Sequence, residues 1–473
     1  MNSNRLRRWV WTTVIIWTMG TFGLAAWAKD ASDAPKLNIP FEKYKLENGL
    51  EVIIHEDHSL PLVAVNVWYH VGAVNEVRGK TGFAHLFEHI MFQGSGHIPD
   101  DGHIRILEQI GASDLNGSTG FDRTNYFQTV PANHLETALW LESDRMGFLL
   151  DTLTQEKLDN QRDVVKNERR QTTENQPYGL AEESFWQRIF PVEHPYYGLI
   201  IGSMDDLTNA TLDDVRNFFA TWYSPSNATL TIAGDMDVAE AKSLVEKYFG
   251  SIEGTQAPKL AKLPVVEIKE SFTMEYEEPI APLAKVEVSW ITPKLYAKGD
   301  AEADILGSIL SSGKSSLLHK RLVRELEMVQ RISAYQMSMQ HLSVFTIEAV
   351  VREGVSAQNV LAEIDKVLAS VQQGQVDAQL VTRAVNQFET GYFQALEKIG
   401  HVADQLQSYN HYVGTPDFIS ADLARYTLVT PNDVIEFANA YLSPKHRAVL
   451  VAAPKASKQT DATVDKTSKG ENQ

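Results

Sequence analysis

The chain has 473 residues, of which 43% are hydrophobic and 22% charged, the balance of a soluble globular protein longer than one ordinary domain. Its formal net charge of −18 argues against nucleic acid as a partner, because proteins that bind nucleic acid neutralise phosphates with lysine and arginine. The sequence has no cysteine, which excludes disulfide bonds and a lipidated cysteine anchor.

The first 28 residues have the pattern of a secretory signal peptide. Three arginines precede the apolar run 9–25, which is followed by Ala26-Trp27-Ala28, a small-x-small cleavage site. We expect export across the inner membrane, cleavage after Ala28 and a periplasmic mature chain; an uncleaved N-terminal anchor is the alternative. Without the three arginines, 40 Lys and Arg stand against 61 Asp and Glu, a net charge of −21. No later stretch of the sequence is long and apolar enough to predict a membrane span.

The segment from Thr81 to Gly94 predicts a buried helix with a metal-binding face. Its apolar side chains cover most of the helix circumference: Phe83, Leu86, Phe87, Ile90 and Met91. His85 and His89 lie one turn apart on one face, so both imidazoles can bind one metal ion. This His-x-x-Glu-His order is the inverse of the common zinc-protease signature. We predict a zinc site in which Glu88 accepts the proton of an activated water; a chance match is the alternative.

A second helix is predicted from Thr154 to Thr173, with Thr154 as its N-cap. At 100° per residue, its buried face is marked by Leu158, Val164 and Val165. Glu168 falls on that face, and a buried glutamate is normally paired or bound to metal. Glu168 is therefore the candidate third zinc ligand, and an ion pair with an arginine is the alternative.

Two segments of the chain, 211–233 and 430–448, repeat each other at an offset of 219 residues. Each indicates a capped helix, a Ser-Pro turn and a β-branched strand. Residues 61–68 and 282–290 echo each other as well, because both alternate with the period of a half-buried strand. The chain is thus predicted to be a duplication, and its mixed strand and helix patterns indicate α+β halves with sheets backed by helices.

The repeats set the expected domain boundaries. Residues 29–253 form the N-terminal half, 254–264 a linker, 265–455 the C-terminal half and 456–473 a polar tail. The counterpart of the His-x-x-Glu-His motif in the C-terminal half, residues 306–310, contains neither histidine nor acid. The chemistry is therefore expected in the N-terminal half alone.

Together these residues resemble the pitrilysin/insulinase family of zinc peptidases, which includes the mitochondrial processing peptidase. The resemblance spans nearly the whole mature chain and rests on residues 48–54, 82–95, 116–126, 164–170 and 194–203. It implies a clam-like chamber built from two homologous halves, with one zinc ion per chain. It also implies the zinc ligands and the general base that the helical phases indicate: His85, His89 and Glu168 as ligands, with Glu88 as base.

The resemblance also implies how substrate binds. Residues 114–119 would form an edge strand near the zinc, and an extended peptide would add to it as a further strand. Asn116 is the expected side-chain contact to that peptide. The alternative is that Asn116-Gly117 is simply a turn.

Two positions depart from the family pattern. Members often carry a glutamate seven residues before the third ligand; Gln161 stands there, which makes the surroundings of the zinc one charge less negative. Single-chain members carry an arginine followed seven residues later by a tyrosine, and this pair holds the peptide carbonyl and the oxyanion. Here Arg324 is followed at that spacing by Arg331, and Tyr335 is off the spacing. The resemblance therefore implies a heterodimer with a homologous partner subunit that supplies the arginine and tyrosine.

The leading functional prediction is a zinc-dependent endopeptidase that hydrolyses peptides or unfolded polypeptide segments. The alternative is a catalytically weak peptide-binding or assembly protein with the same fold. The two hypotheses differ in whether Glu88 is needed for function, since only the peptidase uses its carboxylate to move a proton.

Overall fold

The computed structural model describes residues 37–256, 258–259 and 262–455. The predicted signal peptide and polar tail lie outside these residues. Within them the chain forms two sheets, each backed by helices, which confirms the predicted α+β class. No helix in this part of the chain combines the length and the apolar character needed to cross a bilayer.

The N-terminal half is built on a six-stranded sheet. In chain order its strands are β1 (Glu42–Lys45), β2 (Glu51–Glu56), β3 (Leu62–Tyr69), β4 (Ser113–Thr119), β5 (Thr124–Pro131) and β6 (Ala228–Gly234). Their spatial order is β1-β2-β6-β3-β5-β4, so β4 lies at one edge. β2 and β6 are parallel, whereas the other neighbours are antiparallel.

Helices of the N-terminal half pack mainly on one face of this sheet. They are α1 (Phe83–Ile90), α2 (Gly102–Gln109), α3 (Leu135–Thr152), α4 (Gln155–Arg169), α5 (Gly179–Ile189), α6 (Met204–Asn209), α7 (Leu212–Trp222) and α8 (Val238–Phe249). One π-helical turn, Arg170–Glu174, follows α4. The central strand β3 places Val63, Val65 and Val67 in the core beneath the helices, as its alternation predicted. The prediction of a half-buried strand is wrong, because every residue of β3 after Leu62 is buried.

The C-terminal half repeats this design with a five-stranded sheet. Its strands are β7 (Phe272–Glu278), β8 (Lys285–Thr292), β9 (Val329–Met337), β10 (Ser343–Val351) and β11 (Ala448–Pro454). Its helices are α9 (Asp300–Ser311), α10 (Ala357–Gln372), α11 (Ala378–Leu396), α12 (Ile399–Val413), α13 (Ile419–Thr427) and α14 (Pro431–Tyr441). The spatial order β7-β11-β8-β10-β9 reproduces the order β2-β6-β3-β5-β4 of the first sheet, including its single parallel pair. The same topology in both halves supports the duplication.

One helix of each half packs against the sheet of the other half. Helix α12 lies on the face of the first sheet opposite its own helices, where it contacts β3 and β6. The buried amide of Gln407 on α12 donates hydrogen bonds to the carbonyl oxygens of Asn66 (3.1 Å) and Thr229 (2.7 Å). In the reciprocal arrangement, α5 contacts β11 and β7 of the second sheet. The exchange joins the two halves, because each sheet packs against a helix of the other half.

Candidate active site

Helix α1 carries three of the four predicted chemical groups and is buried over most of its surface. All five apolar side chains predicted to wrap this segment are buried: Phe83, Leu86, Phe87, Ile90 and Met91. The helix starts where the Glu76 carboxylate accepts hydrogen bonds from the N–H groups of Gly82 and Ala84, both at 2.9 Å. It ends at Ile90, earlier than predicted, and Gly94 adopts its left-handed φ of 86° beyond the helix.

Helix α4 brings the predicted third ligand in its last turn. Thr154 caps the helix as predicted, with its hydroxyl accepting a hydrogen bond from the N–H of Lys157 at 3.3 Å. The predicted buried face is wrong at Val164, which is 41% exposed. The buried side chains of α4 are Leu158, Gln161, Val165 and Arg169. Glu168 therefore lies at the margin of the buried face, with its side chain 36% exposed, and reaches α1 from there.

The three predicted ligands converge. The Oε2 of Glu168 lies 3.7 Å from Nε2 of His85 and 3.2 Å from Nε2 of His89. The two imidazole rings are 4.8 Å apart and nearly perpendicular, at 84°. One ligand atom from each residue lies within 4.8 Å of both others, which is close enough for the three residues to bind a single ion. Two helices distant in sequence thus bring together the group that the sequence predicted.

This donor set fits zinc. Imidazole nitrogen and carboxylate oxygen bind Zn²⁺ at about 2.0–2.2 Å, so tetrahedral ligands lie about 3.3–3.6 Å from each other. The two Nε2–Oε2 distances of 3.2 and 3.7 Å bracket that range. Burial lowers the pKa of His85 to about 4, so its imidazole is neutral near pH 7, the form that binds a metal. Three protein ligands also leave a fourth position open for water or substrate.

Glu88 is held between α1 and the edge strand β4. The Thr119 hydroxyl donates a hydrogen bond of 2.6 Å to Oε2 of Glu88. Burial raises the pKa of the Glu88 carboxyl, while the Thr119 hydrogen bond opposes that rise. Gly117 makes room for this arrangement, since a Cβ there would lie 2.9 Å from Cγ of Glu88 and 3.2 Å from the Phe92 ring. The carboxylate is therefore fixed beside the ligands without being one of them.

Strand β4 is the edge strand that the family resemblance implied, so the alternative of a turn at Asn116-Gly117 is wrong. Asn116 pairs with Phe127 of β5, and the other side of β4 has no strand neighbour in the described residues. The pairing is irregular between Ser113 and Asn116, where Asp114 adopts a φ of 51°. The exposed Asn116 side chain accepts a hydrogen bond from the N–H of Gly117 at 2.9 Å, which leaves its NH₂ group available for a ligand.

The two departures from the family pattern lie in different parts of the fold: Gln161 is on α4 with Glu168, whereas Arg324 and Arg331 are in the C-terminal half. Gln161 is buried on α4, and within the described residues its side chain makes no hydrogen bond to a candidate ligand. Arg324 is exposed in the π-helical segment His319–Glu325. Arg331 and Tyr335 share one face of the edge strand β9, where both are exposed. The structure therefore leaves the origin of the arginine–tyrosine pair as a prediction.

A second acidic group in the described residues already has a cation of its own. Glu182 on α5 approaches Glu287 and Glu348 of the second sheet. The ammonium of Lys285 lies 2.5, 3.2 and 2.6 Å from the carboxylates of Glu182, Glu287 and Glu348 respectively. Lys285 is only 3% exposed, so this cluster joins the two halves through an internal ion network.

Three residues that shape the candidate site were not predicted to do so from the sequence: Glu76, Gly117 and Thr119. Strand alternation could have indicated Thr119, because it lies two residues after Gly117 on the face that meets α1. Glu76 has no periodic signal, since it reaches the helix from a preceding loop. Its role is visible only from its hydrogen bonds to the first turn of α1.

Two family models match the chain in tandem. The model "Insulinase (Peptidase family M16)" matches residues 51–188, and "Peptidase M16 inactive domain" matches residues 209–388. The second name agrees with the lack of a His-x-x-Glu-His motif in the C-terminal half. Residues 306–310, its expected counterpart, lie in α9, which packs on β9 and α11 as α1 packs on β4 and α4.

Individual relatives extend the likeness over most of the chain. The zinc protease PqqE of Helicobacter pylori is 28% identical over 87% of this chain and 93% of its own length. The probable mitochondrial-processing peptidase subunit beta of Arabidopsis thaliana is 24% identical over 86% of this chain and 77% of its own length. The structure of a protease from Helicobacter pylori superposes with a TM-score of 0.82 at 27% identity, covering 88% of this chain and 99% of that one. The periplasmic protease PqqL of Escherichia coli shares the fold, with a TM-score of 0.71 at 18% identity over 89% of this chain and 48% of that one. Since two models of one family match in tandem and the relatives align over most of its length, the chain belongs to the insulinase family of peptidases, M16.

Proposed function

We propose that this protein is a zinc-dependent endopeptidase that hydrolyses peptides or unfolded polypeptide segments. One observation carries the proposal: the Glu88 carboxylate is fixed next to a His-His-Glu group with the spacing of zinc ligands. A purely structural fold has no use for a general base beside a metal site. The names of the relatives as zinc proteases support the same chemistry.

The residues of the site have separable roles in this proposal. Zinc, when bound by His85, His89 and Glu168, polarises the scissile carbonyl and lowers the pKa of water. Glu88 takes the proton of the attacking water and passes it to the leaving amine. The Thr119 hydroxyl donates a hydrogen bond to Oε2 of Glu88, so Oε1 remains to accept that proton.

The substrate is proposed to bind as an extended strand on the free edge of β4. That edge offers unpaired backbone groups next to the strand residues that contact Glu88. Main-chain hydrogen bonds recognise any extended segment, which favours unfolded polypeptides over folded ones. Asn116 is the proposed side-chain contact, because its exposed amide projects from this strand.

A homologous partner subunit and a periplasmic location complete the proposal. The partner would supply the arginine and tyrosine that bind the substrate carbonyl, since Arg324 is followed at the family spacing by Arg331. The signal-like residues 1–28 would direct export, and a relative of the same fold is named a periplasmic protease. Purification from the native source and mass spectrometry of co-purified chains test the partner. Full activity of the purified monomer would reject it.

The decisive experiment compares Glu88→Gln with Glu168→Gln in the purified protein. We expect Glu88→Gln to keep its zinc and to lose about 10²- to 10⁴-fold in kcat on an unstructured peptide, because it lacks only the base. Glu168→Gln should lose zinc affinity, and excess zinc should partly restore its activity. Zinc content is measured by elemental analysis and cleavage by mass spectrometry. If Glu88→Gln leaves function unchanged, the peptide-binding or assembly alternative is correct.

A further inference from the structure

The ligand-bearing ends of α1 and α4 share one neighbour, the segment of residues 198–206, which ends in the first turn of α6 and is called here the bridging loop. His85 lies in the first turn of α1, and Glu168 lies in the last turn of α4. The ligand geometry therefore depends on how these two helix ends are held relative to each other. The bridging loop contacts both ends, and none of its side chains belongs to the ligand group.

The contact with α1 is a close approach of two backbones. Gly202 has a φ of 76°, and a Cβ on it would lie 2.5 Å from Cα of Gly82 and 2.5 Å from the carbonyl oxygen of Thr81. The N–H of Ser203 donates to the Thr81 hydroxyl at 3.1 Å. Thr81 in turn donates from its N–H (3.0 Å) and hydroxyl (2.6 Å) to Oδ2 of Asp206. Only glycine at position 202 allows the loop to lie this close to the start of α1.

The contact with α4 is made by a buried guanidinium. Arg169 follows Glu168 directly and is 5% exposed. Its Nη1 donates to the carbonyl oxygen of Gly202 at 2.7 Å, and its Nη2 donates to Oε2 of Glu183 at 2.6 Å. The guanidinium thus ties the last turn of α4 to the same residue that touches the start of α1.

We propose that Arg169 and Gly202 are positioning residues that set the distance between Glu168 and the histidine pair. The inference rests on the proposed zinc site, because it concerns the geometry of that site. Zinc coordination tolerates distance errors of about 0.2 Å, so a small shift between the helix ends weakens binding. Loss of outer groups that orient metal ligands commonly costs about 10- to 100-fold in metal affinity.

The chain offers a matched control for each substitution. Arg170 is the next residue and has the same side chain, which within the described residues bonds only to the exposed Asn167 amide, at 2.7 Å. Arg170→Gln therefore controls for the loss of a positive charge at the end of α4. Gly79 has a φ of 81°, close to that of Gly202, but a Cβ there would meet nothing within 4 Å. Gly79→Ala therefore controls for backbone strain without the collision.

The experiment measures zinc affinity by competition with a chelator and the visible spectrum of the Co²⁺-substituted protein. We expect Arg169→Gln and Gly202→Ala to lose about 10- to 100-fold in affinity and to change the Co²⁺ spectrum. The zinc affinities of Arg170→Gln and Gly79→Ala should stay within about twofold of the wild type, because neither residue orients a metal ligand. Glu183→Gln removes one ion pair of Arg169 and keeps both its ion pair with Glu174 and its bond to Gly202. It should therefore lower the thermal stability of the zinc-free protein and leave zinc affinity unchanged.

The results separate the inference from the proposed function. If the wild type binds no zinc, the proposed function fails and the inference fails with it. If the wild type binds zinc and the Arg169 and Gly202 variants bind equally well, the inference alone is wrong. Should Arg169→Gln not fold, Arg169→Lys decides, because a lysine can reach only one of the two oxygens. Wild-type affinity and an unchanged Co²⁺ spectrum in that variant would overturn the proposal.

Discussion

Thr119 gives a direct test of how the protein holds Glu88, its proposed general base. Thr119→Val keeps the shape of the side chain and removes the hydroxyl that donates to Glu88 at 2.6 Å. A hydrogen bond to a charged acceptor contributes about 1.5–3 kcal/mol. Each 1.36 kcal/mol corresponds to a factor of about ten in rate. If the whole contribution of this hydrogen bond is lost, kcat/KM should fall about 10- to 150-fold. Zinc content should not change, because Thr119 makes no hydrogen bond to the ligands in the described part of the chain.

The assay is cleavage of an internally quenched, unstructured peptide, followed under conditions that give kcat/KM. Thr119→Ser is the matched control, because it keeps the donor and loses only a methyl group. It should retain most of the wild-type kcat/KM. Wild-type kcat/KM in the valine variant would refute the reasoning, as would equal losses in the serine and valine variants.

Three further predictions test the neighbouring strand and the joint between the halves. Gly117→Ala should reduce kcat more than zinc affinity, because its Cβ would lie 2.9 Å from Cγ of Glu88; steady-state kinetics and metal analysis check this. Asn116→Ala should raise KM by about 2- to 10-fold with kcat little changed, as expected for a lost hydrogen bond to substrate. Lys285→Met should destabilise the protein by about 1.5–3 kcal/mol, because it leaves the half-buried carboxylates of Glu287 and Glu348 without the buried cation that pairs with them. Burial raises the pKa of Glu287 to about 7 against the opposing effect of Lys285, so stability from this group is present at low pH and is lost as pH rises through that value. Without the lysine that pKa rises further, and denaturant titrations should therefore show a larger destabilisation at pH 8 than at pH 5.

The candidate zinc ligands could be predicted because helical periodicity places them. The spacing of His85 and His89 puts both on one face whatever the rest of the fold does. Glu168 was found from the phase of a second helix, although that phase was misjudged at Val164. The prediction survived the error because Glu168 lies where the true buried face meets solvent, so its carboxylate can still reach α1.

Other parts of the site have no periodic signal in the sequence. The approach of Gly202 to Gly82 is a contact between backbones, and a glycine in a loop has many possible causes. The hydrogen bond from Thr119 to Glu88 depends on which strand pairs beside α1, which is a property of the whole sheet. Sequence patterns therefore identified the groups proposed to do the chemistry, whereas the residues that hold them in place could be identified only from the coordinates.

The helix exchange gives the C-terminal half a structural role, although this half lacks the metal-binding motif. One face of the first sheet is covered by α12 from the other half, and Gln407 is fully buried there between β3 and β6. Removing the C-terminal half would expose that face, together with the backbone carbonyls that Gln407 now satisfies. Because β4 extends the same sheet and holds Glu88 through Thr119, disorder in the sheet would reach the proposed catalytic base. The half that lacks the His-x-x-Glu-His motif would therefore support the proposed catalysis mechanically, by keeping the sheet behind the candidate active site in one conformation.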